Sequence, residues 1–355
     1  MCYNYVIRAL AAGIIPAALS LLACGGASSA PPPQPPKILV AGYQQVGSHN
    51  VAMLWTNGVP TSLTDGTTNA KALGIAYSNG DVYVVGGQGA SNGNSIATYW
   101  KNGTPVQLTD GSYPAVAEAI CISGNDVYIA GYENNATGGN TVKYWKNGTP
   151  VVLGDPVNPT AGEAFGIAVS NGDVYVVGWS VEKTVITPTD IVFSDVAKIW
   201  KNGVLTRLSD PATELGQATG IFLNGSDVYV SGHKEKRSDL YYQAVYWKNG
   251  VPVLLKDSGY GSRAFSVNIH DGSIFIGGFL SLNPAAIATV WQDGIPKSYS
   301  NGSKALINSI SFSGNDMYMA GMENNAAMVW SSTGIRMPLT DGSSIAEAKG
   351  ICVVP

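Results

Sequence analysis

The sequence predicts an all-β protein in which a unit of four short strands is repeated seven times. Two apolar runs separated by a tight turn recur along the chain, and each copy then continues to a tryptophan. The turns carry Asn-Gly, Gly-Asn or Asp-Gly, which favour hairpins because their tight turns need residues with positive φ. Runs of about five residues with regularly spaced turns favour strands over helices.

The four strands of a unit, named A to D in chain order, are clearest in the fourth copy. Strand A is predicted at Gly166–Val169 and strand B at Val174–Val177, strand C ends at Trp200, and strand D is Leu205–Leu208. We expect Trp200 and its counterparts to pack between neighbouring units. Those counterparts are Trp55, Trp100, Trp145, Trp247, Trp291 and Trp330.

The two ends of the repeat region each supply part of one unit. Ile38–Gly42 has the pattern of a B strand with no A strand before it, whereas Ala348–Val353 has the pattern of an A strand with no B strand after it. Pairing between them completes the first unit and leaves no open sheet edge at the seam. At about 45 residues per repeat, residues 38–355 resemble a seven-bladed β-propeller. Val82–Gly87 is similar to a kelch strand, but the tryptophan spacing differs, so no kelch function is implied.

In each A strand a small residue precedes a large aliphatic one, which predicts where the strand packs. The small residues suit a crowded central axis, and the large ones suit the space between blades. The small residues are Gly74, Ala119, Gly166, Gly220, Ser266, Ser309 and Gly350. The large residues are Ile75, Ile120, Ile167, Ile221, Val267, Ile310 and Ile351.

Composition excludes several classes of protein. Hydrophobic residues make up 45% of the chain, so it is not a disordered protein. The formal net charge of −4 argues against a nucleic-acid partner, because polyanion binders carry a basic excess. The three histidines show no metal-ligand spacing, and no nucleotide-binding loop or nucleophile elbow is present, so neither a metal nor a cofactor is expected.

The N-terminus has the pattern of a secretory signal. Arg8 precedes an apolar run that is too short for a membrane span, and Leu21-Leu22-Ala23-Cys24 resembles a bacterial lipobox. We therefore expect a lipoprotein signal peptide at 1–23, a lipidated Cys24 with a Gly/Ser/Pro-rich tether at 24–37, and anchoring to the cell-envelope membrane. Gly25 after the cysteine favours the outer membrane of a Gram-negative bacterium. The alternative is an ordinary signal peptide with a chance cysteine.

Two groups of residues that depart from the repeat are candidate ligand-binding residues, and both are expected on one face of the ring. One group lies in two B–C loops, the longer at Trp179–Ala197, and it comprises Trp179, His233, Lys234, Lys236, Arg237, Tyr241 and Tyr242. Aromatic rings beside charged groups suit sugars, peptides or anions, although such loops are also often simply solvated. The other group lies at the starts of A strands, near the channel mouth, and comprises Lys71, Glu118, Glu163, Gln217, Arg263 and Lys349.

Repetition separates these candidates from the scaffold. Aspartates that recur in the same turn of most units are expected to cap turns rather than bind metal. They follow strand A, as in Asp81, or strand D, as in Asp65.

These observations favour a lipid-anchored, non-catalytic binding or interaction module whose partner is a glycan, a peptide or an envelope protein. The alternative is a carbohydrate-active enzyme of the lyase or glycosidase type. Its site would lie at the channel mouth, with Glu118 and Glu163 in successive blades as paired carboxylates. A structural component of an envelope complex is a third possibility.

Overall fold

The computed structural model describes residues 35–154, 161–187, 190–236, 241–301 and 304–355. The expected signal peptide and Cys24 therefore lie outside the described residues, as does Arg237. The first strand begins at Lys37, one residue before the predicted start of the repeat region.

Within these ranges the chain forms 28 β-strands. In chain order they are β1 (Lys37–Val46), β2 (His49–Thr56), β3 (Val59–Ser62), β4 (Ala70–Ser78), β5 (Asp81–Gly89), β6 (Ser95–Lys101), β7 (Thr104–Gln107), β8 (Ala115–Ser123), β9 (Asp126–Asn134), β10 (Asn140–Lys146), β11 (Thr149–Val152), β12 (Gly162–Ser170), β13 (Asp173–Thr187), β14 (Asp190–Lys201), β15 (Val204–Arg207), β16 (Glu214–Asn224), β17 (Asp227–Lys236), β18 (Tyr242–Lys248), β19 (Val251–Leu254), β20 (Ser262–His270), β21 (Ser273–Ser281), β22 (Ala286–Gln292), β23 (Ile295–Ser298), β24 (Ala305–Ser313), β25 (Asp316–Glu323), β26 (Ala326–Ser331), β27 (Arg336–Pro338) and β28 (Ala346–Val354). No helix of the described part has the length and apolar character needed to cross a membrane.

The strands form seven antiparallel sheets of four strands, which are the blades of the predicted β-propeller. Blades 2 to 7 each use four consecutive strands, beginning with β4. Blade 1 has the order β28-β1-β2-β3, and Ile38 of β1 lies opposite Val353 of β28. The predicted closure of the ring by the C-terminal strand is therefore confirmed.

The hairpins follow the predicted turn chemistry. In blade 2, Asn102 and Gly103 have φ of 51° and 83°, the left-handed region that an Asn-Gly turn supplies. The Asn102 side chain accepts from the Val82 N–H at 2.9 Å and donates to Asp81 at 2.8 Å. Lys101 forms an ion pair with the same carboxylate at 2.7 Å. This arrangement recurs around Asp126, Asp173 and Asp227.

The aspartates after strand D also serve their own turns. Asp65 accepts from the N–H of Thr67 at 3.0 Å, two residues further on. The same contact is made by Asp110, Asp210, Asp257 and Asp341. The predicted turn-capping role is confirmed for these aspartates after strand D, whereas Asp81 and its counterparts bind Asn and Lys side chains of the neighbouring hairpin.

The core lies between the blades. All seven repeated tryptophans are at most 2% exposed. Trp247 of blade 5 donates from Nε1 to the carbonyl of Leu208, at the end of blade 4, at 2.7 Å. The large aliphatic residues of the A strands, such as Ile167, join the same interblade clusters. The predicted packing of both sets of residues is confirmed.

Each A strand also contains a β-bulge, which the sequence analysis did not predict. In blade 3 the pairing shifts between Ala117 and Ala119, so Glu118 has no partner opposite it. A glycine of strand B faces the bulge: a Cβ on Gly131 would lie 2.0 Å from the carbonyl oxygen of Val116. In all seven blades the equivalent distance is 1.9 to 2.1 Å, and the glycines are Gly42, Gly86, Gly131, Gly178, Gly232, Gly278 and Gly321.

The small residue after each bulge meets the next blade. A Cβ on Gly220 would lie 2.8 Å from the carbonyl oxygen of Phe265, which belongs to blade 6. This confirms that small residues stand where the inner strands crowd around the axis. A bulge re-aims one side chain of an otherwise regular strand. Here it presents one residue per blade to the channel.

Candidate functional site

The mouth of the channel carries two rings of side chains, one residue per blade in each. The bulge ring consists of Leu73, Glu118, Phe165, Thr219, Phe265, Asn308 and Lys349. The entry ring lies two residues earlier on the same strands and consists of Lys71, Val116, Glu163, Gln217, Arg263, Leu306 and Glu347. The candidates at the starts of A strands therefore divide into two positions: Glu118 and Lys349 belong to the bulge ring and the other four to the entry ring.

Two cavities open at this mouth. One has a volume of about 250 Å³ and is lined by all seven bulge-ring residues together with Gln217, His233 and Arg263. The other has a volume of about 330 Å³ and lies on the side of blades 1 to 3, where Lys71, Glu118 and Lys349 contribute its charges. Glu118 and Lys349 border both cavities, so their charges act on anything bound in either one.

Glu118 is the titratable group of the mouth whose ionisation is most altered. Burial raises its pKa to about 7; Lys349 and Lys71 oppose the rise, and the charge of Glu163 adds to it. A carboxyl with a pKa near neutrality can hold or release a proton at physiological pH.

The stability of the propeller should depend on pH through Glu118. Its pKa is higher in the folded than in the unfolded chain, so its contribution is fully present below pH 4.5 and is lost as pH rises through about 7. The free energy of unfolding of the wild type, relative to Glu118→Gln, should fall across this range by at most about 3 kcal/mol. Urea titrations of both proteins between pH 4.5 and 8 measure the difference.

Glu347 provides the control for this prediction. Burial acts to raise its pKa, but Lys349, Asn308 and Tyr43 together hold it below its ordinary value. Its contribution to stability is therefore present above pH 4.5 and is lost only as pH falls further. The difference in the free energy of unfolding between the wild type and Glu347→Gln should not change between pH 4.5 and 7. If the difference in the free energy of unfolding between the wild type and Glu118→Gln also does not change with pH, the prediction is contradicted.

The cations of blades 1 and 2 are held by neighbours. Lys349 lies 3.3 Å from Glu347 and 3.4 Å from the Asn308 side-chain oxygen. The Tyr43 hydroxyl donates to the same Glu347 carboxylate at 2.8 Å, and Lys71 lies over the Tyr43 ring at 4.5 Å. These contacts fix the positions of both ammonium groups at the mouth.

Glu118 and Glu163 lie in successive blades, as predicted, but at different heights. Glu163 belongs to the entry ring, accepts from Asn140 at 3.1 Å and lies opposite Trp179 in the register of β12 and β13. Burial is the main cause that raises its pKa. The two carboxyl groups therefore do not occupy equivalent positions facing one substrate bond. The physical reason is their place in the repeat: Glu118 is the bulged residue of β8, whereas Glu163 lies two residues before the bulged residue of β12.

A cationic and aromatic cluster lies on the side of blades 5 and 6. The Arg263 guanidinium stacks on the Tyr242 ring at 3.6 Å, and the His233 ring meets Tyr242 edge-on at 5.0 Å. His233 is only 4% exposed, and its Nδ1 has no hydrogen-bond partner. Burial, and to a lesser degree the charge of Arg263, lowers the pKa of His233 to about 3, so the imidazole is neutral.

The insertion at Trp179–Ala197 is not the loop that the sequence analysis expected. β13 and β14 continue as a paired hairpin, with Trp179 opposite Ala197 and Lys183 opposite Phe193. Runs of β-branched residues, Thr184–Thr187 and Ile191–Val192, favour extension of the strands, which explains the difference. Glu182 of this hairpin is 1% exposed and pairs with Lys198 at 2.8 Å, so it supports the hairpin.

The second expected cluster is divided between two places. His233 and Tyr242 lie with Arg263, whereas Lys234, Lys236 and Tyr241 line a separate cavity of about 270 Å³ against β18 and β19. Successive side chains of a strand point to opposite faces, so neighbours in the sequence separate. Lys234 also forms an ion pair with Glu214 at 2.7 Å.

Many of the acidic residues at this end of the blades are neutralised locally. The pairs are Glu133 with Lys143, Glu182 with Lys198 and Arg207, Glu214 with Lys234, Glu323 with Arg336, and Glu347 with Lys349. The described residues contain no group of three or more His, Cys, Asp or Glu side chains placed to hold a metal ion. The chemistry that the mouth offers is thus charge recognition by residues of the two rings.

The structure is similar to solved propellers of peptidases. It matches an acylaminoacyl peptidase in complex with Z-Gly-Gly-Phe-chloromethyl ketone with a TM-score of 0.53 and 13% identity, covering 86% of this chain and 50% of that one. The uncomplexed acylaminoacyl peptidase of Pyrococcus horikoshii matches with a TM-score of 0.51 and 12% identity, and the match covers 85% of this chain and 53% of that one. A third match is the β-propeller domain of the Trilobed protease from Pyrococcus furiosus, which has an open velcro topology. Its TM-score is 0.51 at 12% identity, and the match covers 83% of this chain and 88% of that one.

This chain therefore spans about half the length of the acylaminoacyl peptidases that it matches. Neither a protein-family model nor a curated protein sequence matches it. At these identities the similarity shows the fold, a seven-bladed propeller.

The comparisons also correct the functional expectation. A non-catalytic envelope binding module, with a carbohydrate-active enzyme as its alternative, was the wrong interpretation, because the similar structures are peptidases and a protease domain. The error has a physical cause. The repeated scaffold dominates the sequence, and it carries no residue pattern that distinguishes one class of propeller from another.

Proposed function

We propose that this propeller acts in peptide hydrolysis, as the domain that receives the peptide substrate and orients it for a hydrolase domain. The observation that carries the proposal is the channel mouth, where two adjoining cavities are lined by the carboxyl group of Glu118 and by the cations Lys71, Lys349 and Arg263. A short peptide has complementary chemistry, since it has a cationic end, an anionic end and side chains of mixed polarity.

The arrangement of charges around the ring supports this proposal. Glu118 and Glu163 belong to blades 3 and 4, whereas Arg263 belongs to blade 6. Phe165 of blade 4 and Phe265 of blade 6 belong to the bulge ring, line the same cavity and offer apolar surface to a peptide side chain. A further support is that solved propellers of the same shape are domains of peptidases.

Binding of short peptides to the full-length protein tests the proposal. Tri- to hexapeptides with free termini are titrated calorimetrically, with an oligosaccharide panel in parallel. The variant Glu118→Gln/Lys349→Gln should weaken peptide binding at least about tenfold, because it removes both charges that border the two cavities. Lys101→Gln, at a hairpin on the opposite end of the blades, is the control and should bind like wild type.

Peptidase activity provides the second measurement. Wild-type protein purified from its producing organism should carry peptide-cleaving activity with it, detected by mass spectrometry of the same peptides, and the mouth variant should show less of it. The proposal would be overturned by the absence of peptide binding, by a preference for oligosaccharides, or by peptide binding that the mouth variant leaves unchanged.

We also propose that the protein is tethered to the cell envelope through a lipid on Cys24. The support is the lipobox of the sequence and the following Pro-rich segment. Cys24→Ala should move the protein from the membrane fraction to the soluble fraction, measured by fractionation and by metabolic labelling with a fatty acid. Membrane retention of the unlabelled variant would contradict this prediction, and Cys121→Ala, which changes a partly buried free cysteine of the propeller, is the control.

A further inference from the structure

The cavity of about 250 Å³ at the mouth has one end that carries the cationic and aromatic cluster of Arg263, Tyr242 and His233. That end lies between blades 5 and 6, where β17 supplies His233 and β20 supplies Arg263. It is separated along the ring from Glu118 of blade 3.

Arg263 is a cation that has no anionic partner among the described residues. Among the described residues no carboxylate lies within ion-pair distance of its guanidinium, in contrast to the locally paired cations described above. Tyr242 instead supports one face of the guanidinium at 3.6 Å. Stacking holds the planar group in one orientation and leaves its edge of N–H donors available, which is the geometry for bidentate binding of a carboxylate.

His233 adds a hydrogen-bonding group at the same end of the cavity. The side chain is 4% exposed and lines the cavity, and its buried Nδ1 has no hydrogen-bond partner among the described residues. A buried polar nitrogen without a partner is unfavourable unless a ligand or water satisfies it. The neutral imidazole beside Arg263 carries one N–H donor and one acceptor nitrogen.

The walls of the cavity suit the end of a chain rather than a whole drug-sized molecule. Leu73, Phe165 and Phe265 supply apolar surface, and Lys349 is a second cation on the far side. The volume lies below the range of roughly 300–1,000 Å³ that is usual for pockets enclosing drug-sized ligands. A terminal residue with an apolar side chain fits these dimensions and this chemistry.

We propose that the Arg263–His233 end of this cavity binds the C-terminal carboxylate of a peptide. The guanidinium of Arg263 holds the carboxylate oxygens, His233 contributes a neutral hydrogen bond, and the bulge-ring phenylalanines receive the terminal side chain. This inference rests on the proposed function, because it assigns one end of the peptide to one side of the mouth.

Paired acid and amide probes test the inference on the full-length protein. Gly-Gly-Phe is compared with Gly-Gly-Phe amide, and 3-phenylpropanoate with 3-phenylpropanamide, by calorimetric titration. The acids should bind at least about tenfold more tightly than the amides. Arg263→Gln should abolish this preference, so that acid and amide bind with equal affinity, and Lys101→Gln should keep the preference.

The outcomes distinguish this inference from the proposed function. Peptide acid and peptide amide that bind equally well would overturn the carboxylate subsite and leave peptide binding at the mouth intact. Binding of 3-phenylpropanoate that depends on Arg263, without binding of any peptide, would show a carboxylate site at Arg263 but overturn both its assignment to a peptide terminus and the proposed function. Thermal melting checks that Arg263→Gln folds. Should it not fold, equal affinities of the wild type for acid and amide would still overturn the inference.

Discussion

Gly131→Ala is expected to destabilise the propeller by about 3 kcal/mol or more, which is a large effect for one methyl group. The added Cβ would lie 2.0 Å from the Val116 carbonyl oxygen and 3.1 Å from the Ala117 Cα. Both atoms belong to the backbone, so no side chain can move aside. Strand β8 would have to separate from β9 at the bulge that aims Glu118 into the channel. Chemical denaturation of the variant and the wild type measures the loss.

Gly154→Ala is the matched control for this prediction. No heavy atom of the described residues lies within 4 Å of the position of its Cβ, and its φ is not in the left-handed region, so its effect should stay within about 0.5 kcal/mol. A Gly131→Ala protein as stable as this control would show that the bulge is not held by the glycine opposite it. Where the variant folds, peptide binding should also weaken, since Glu118 loses its position.

Removal of residues 346–355 is expected to abolish cooperative unfolding of the ring. The deletion takes β28 from blade 1, which exposes the edge of β1 and removes the buried side chains of Ala346, Ala348 and Ile351. These side chains belong to a cluster that also contains Val329 of blade 7, so the loss reaches across the seam. Calorimetry should show a broadened transition at much lower temperature, or protein that aggregates because an open edge pairs with other chains.

A graded version of this test uses single substitutions. Ile351→Ala removes a side chain that is 6% exposed and should destabilise the protein by about 2–5 kcal/mol. Ile345→Ala makes the same chemical change at a residue that is 48% exposed and should have little effect. Equal stability of the two variants would contradict the role assigned to the closing strand.

The architecture could be predicted from the sequence because it depends on features that repeat. Turn geometry determines the conformation of Asn102-Gly103, and the apolar interior determines the position of Trp100. The same residues recur in most blades, so each prediction is supported several times. The closure by β28 followed from counting strands, since Ala348–Val353 lacked a partner in its own part of the chain.

The bulges could not be predicted in the same way. A bulge needs one extra residue in one strand, and the sequence of Ala117–Ile120 looks like an ordinary strand in which Glu118 takes the next place in the alternation. The signal that was available was Gly131, the glycine that occurs at this place in every B strand. Its equivalent Gly86 was considered only as part of Val82–Gly87, the segment that is similar to a kelch strand, and the close backbone approach was not inferred.

The candidate site was predicted in part for a related reason. Lys71, Glu118 and Arg263 were placed at the mouth because strand topology fixes the end of each blade to which they belong. The contact between Arg263 and Tyr242 joins two blades through a side-chain rotamer, which no spacing in the sequence encodes. The same holds for the edge-on contact between His233 and Tyr242.

The residues that specify the bulges are different from the residues that the bulges present to the channel mouth. Seven backbone bulges are specified by seven glycines on neighbouring strands, while the bulged positions themselves hold Leu, Glu, Phe, Thr, Phe, Asn and Lys. Each of these positions is therefore open to change by point mutation without a change of scaffold. A propeller built in this way has seven variable positions on one constant scaffold. Gene duplication followed by substitutions at those positions would change the binding specificity while the ring keeps its structure.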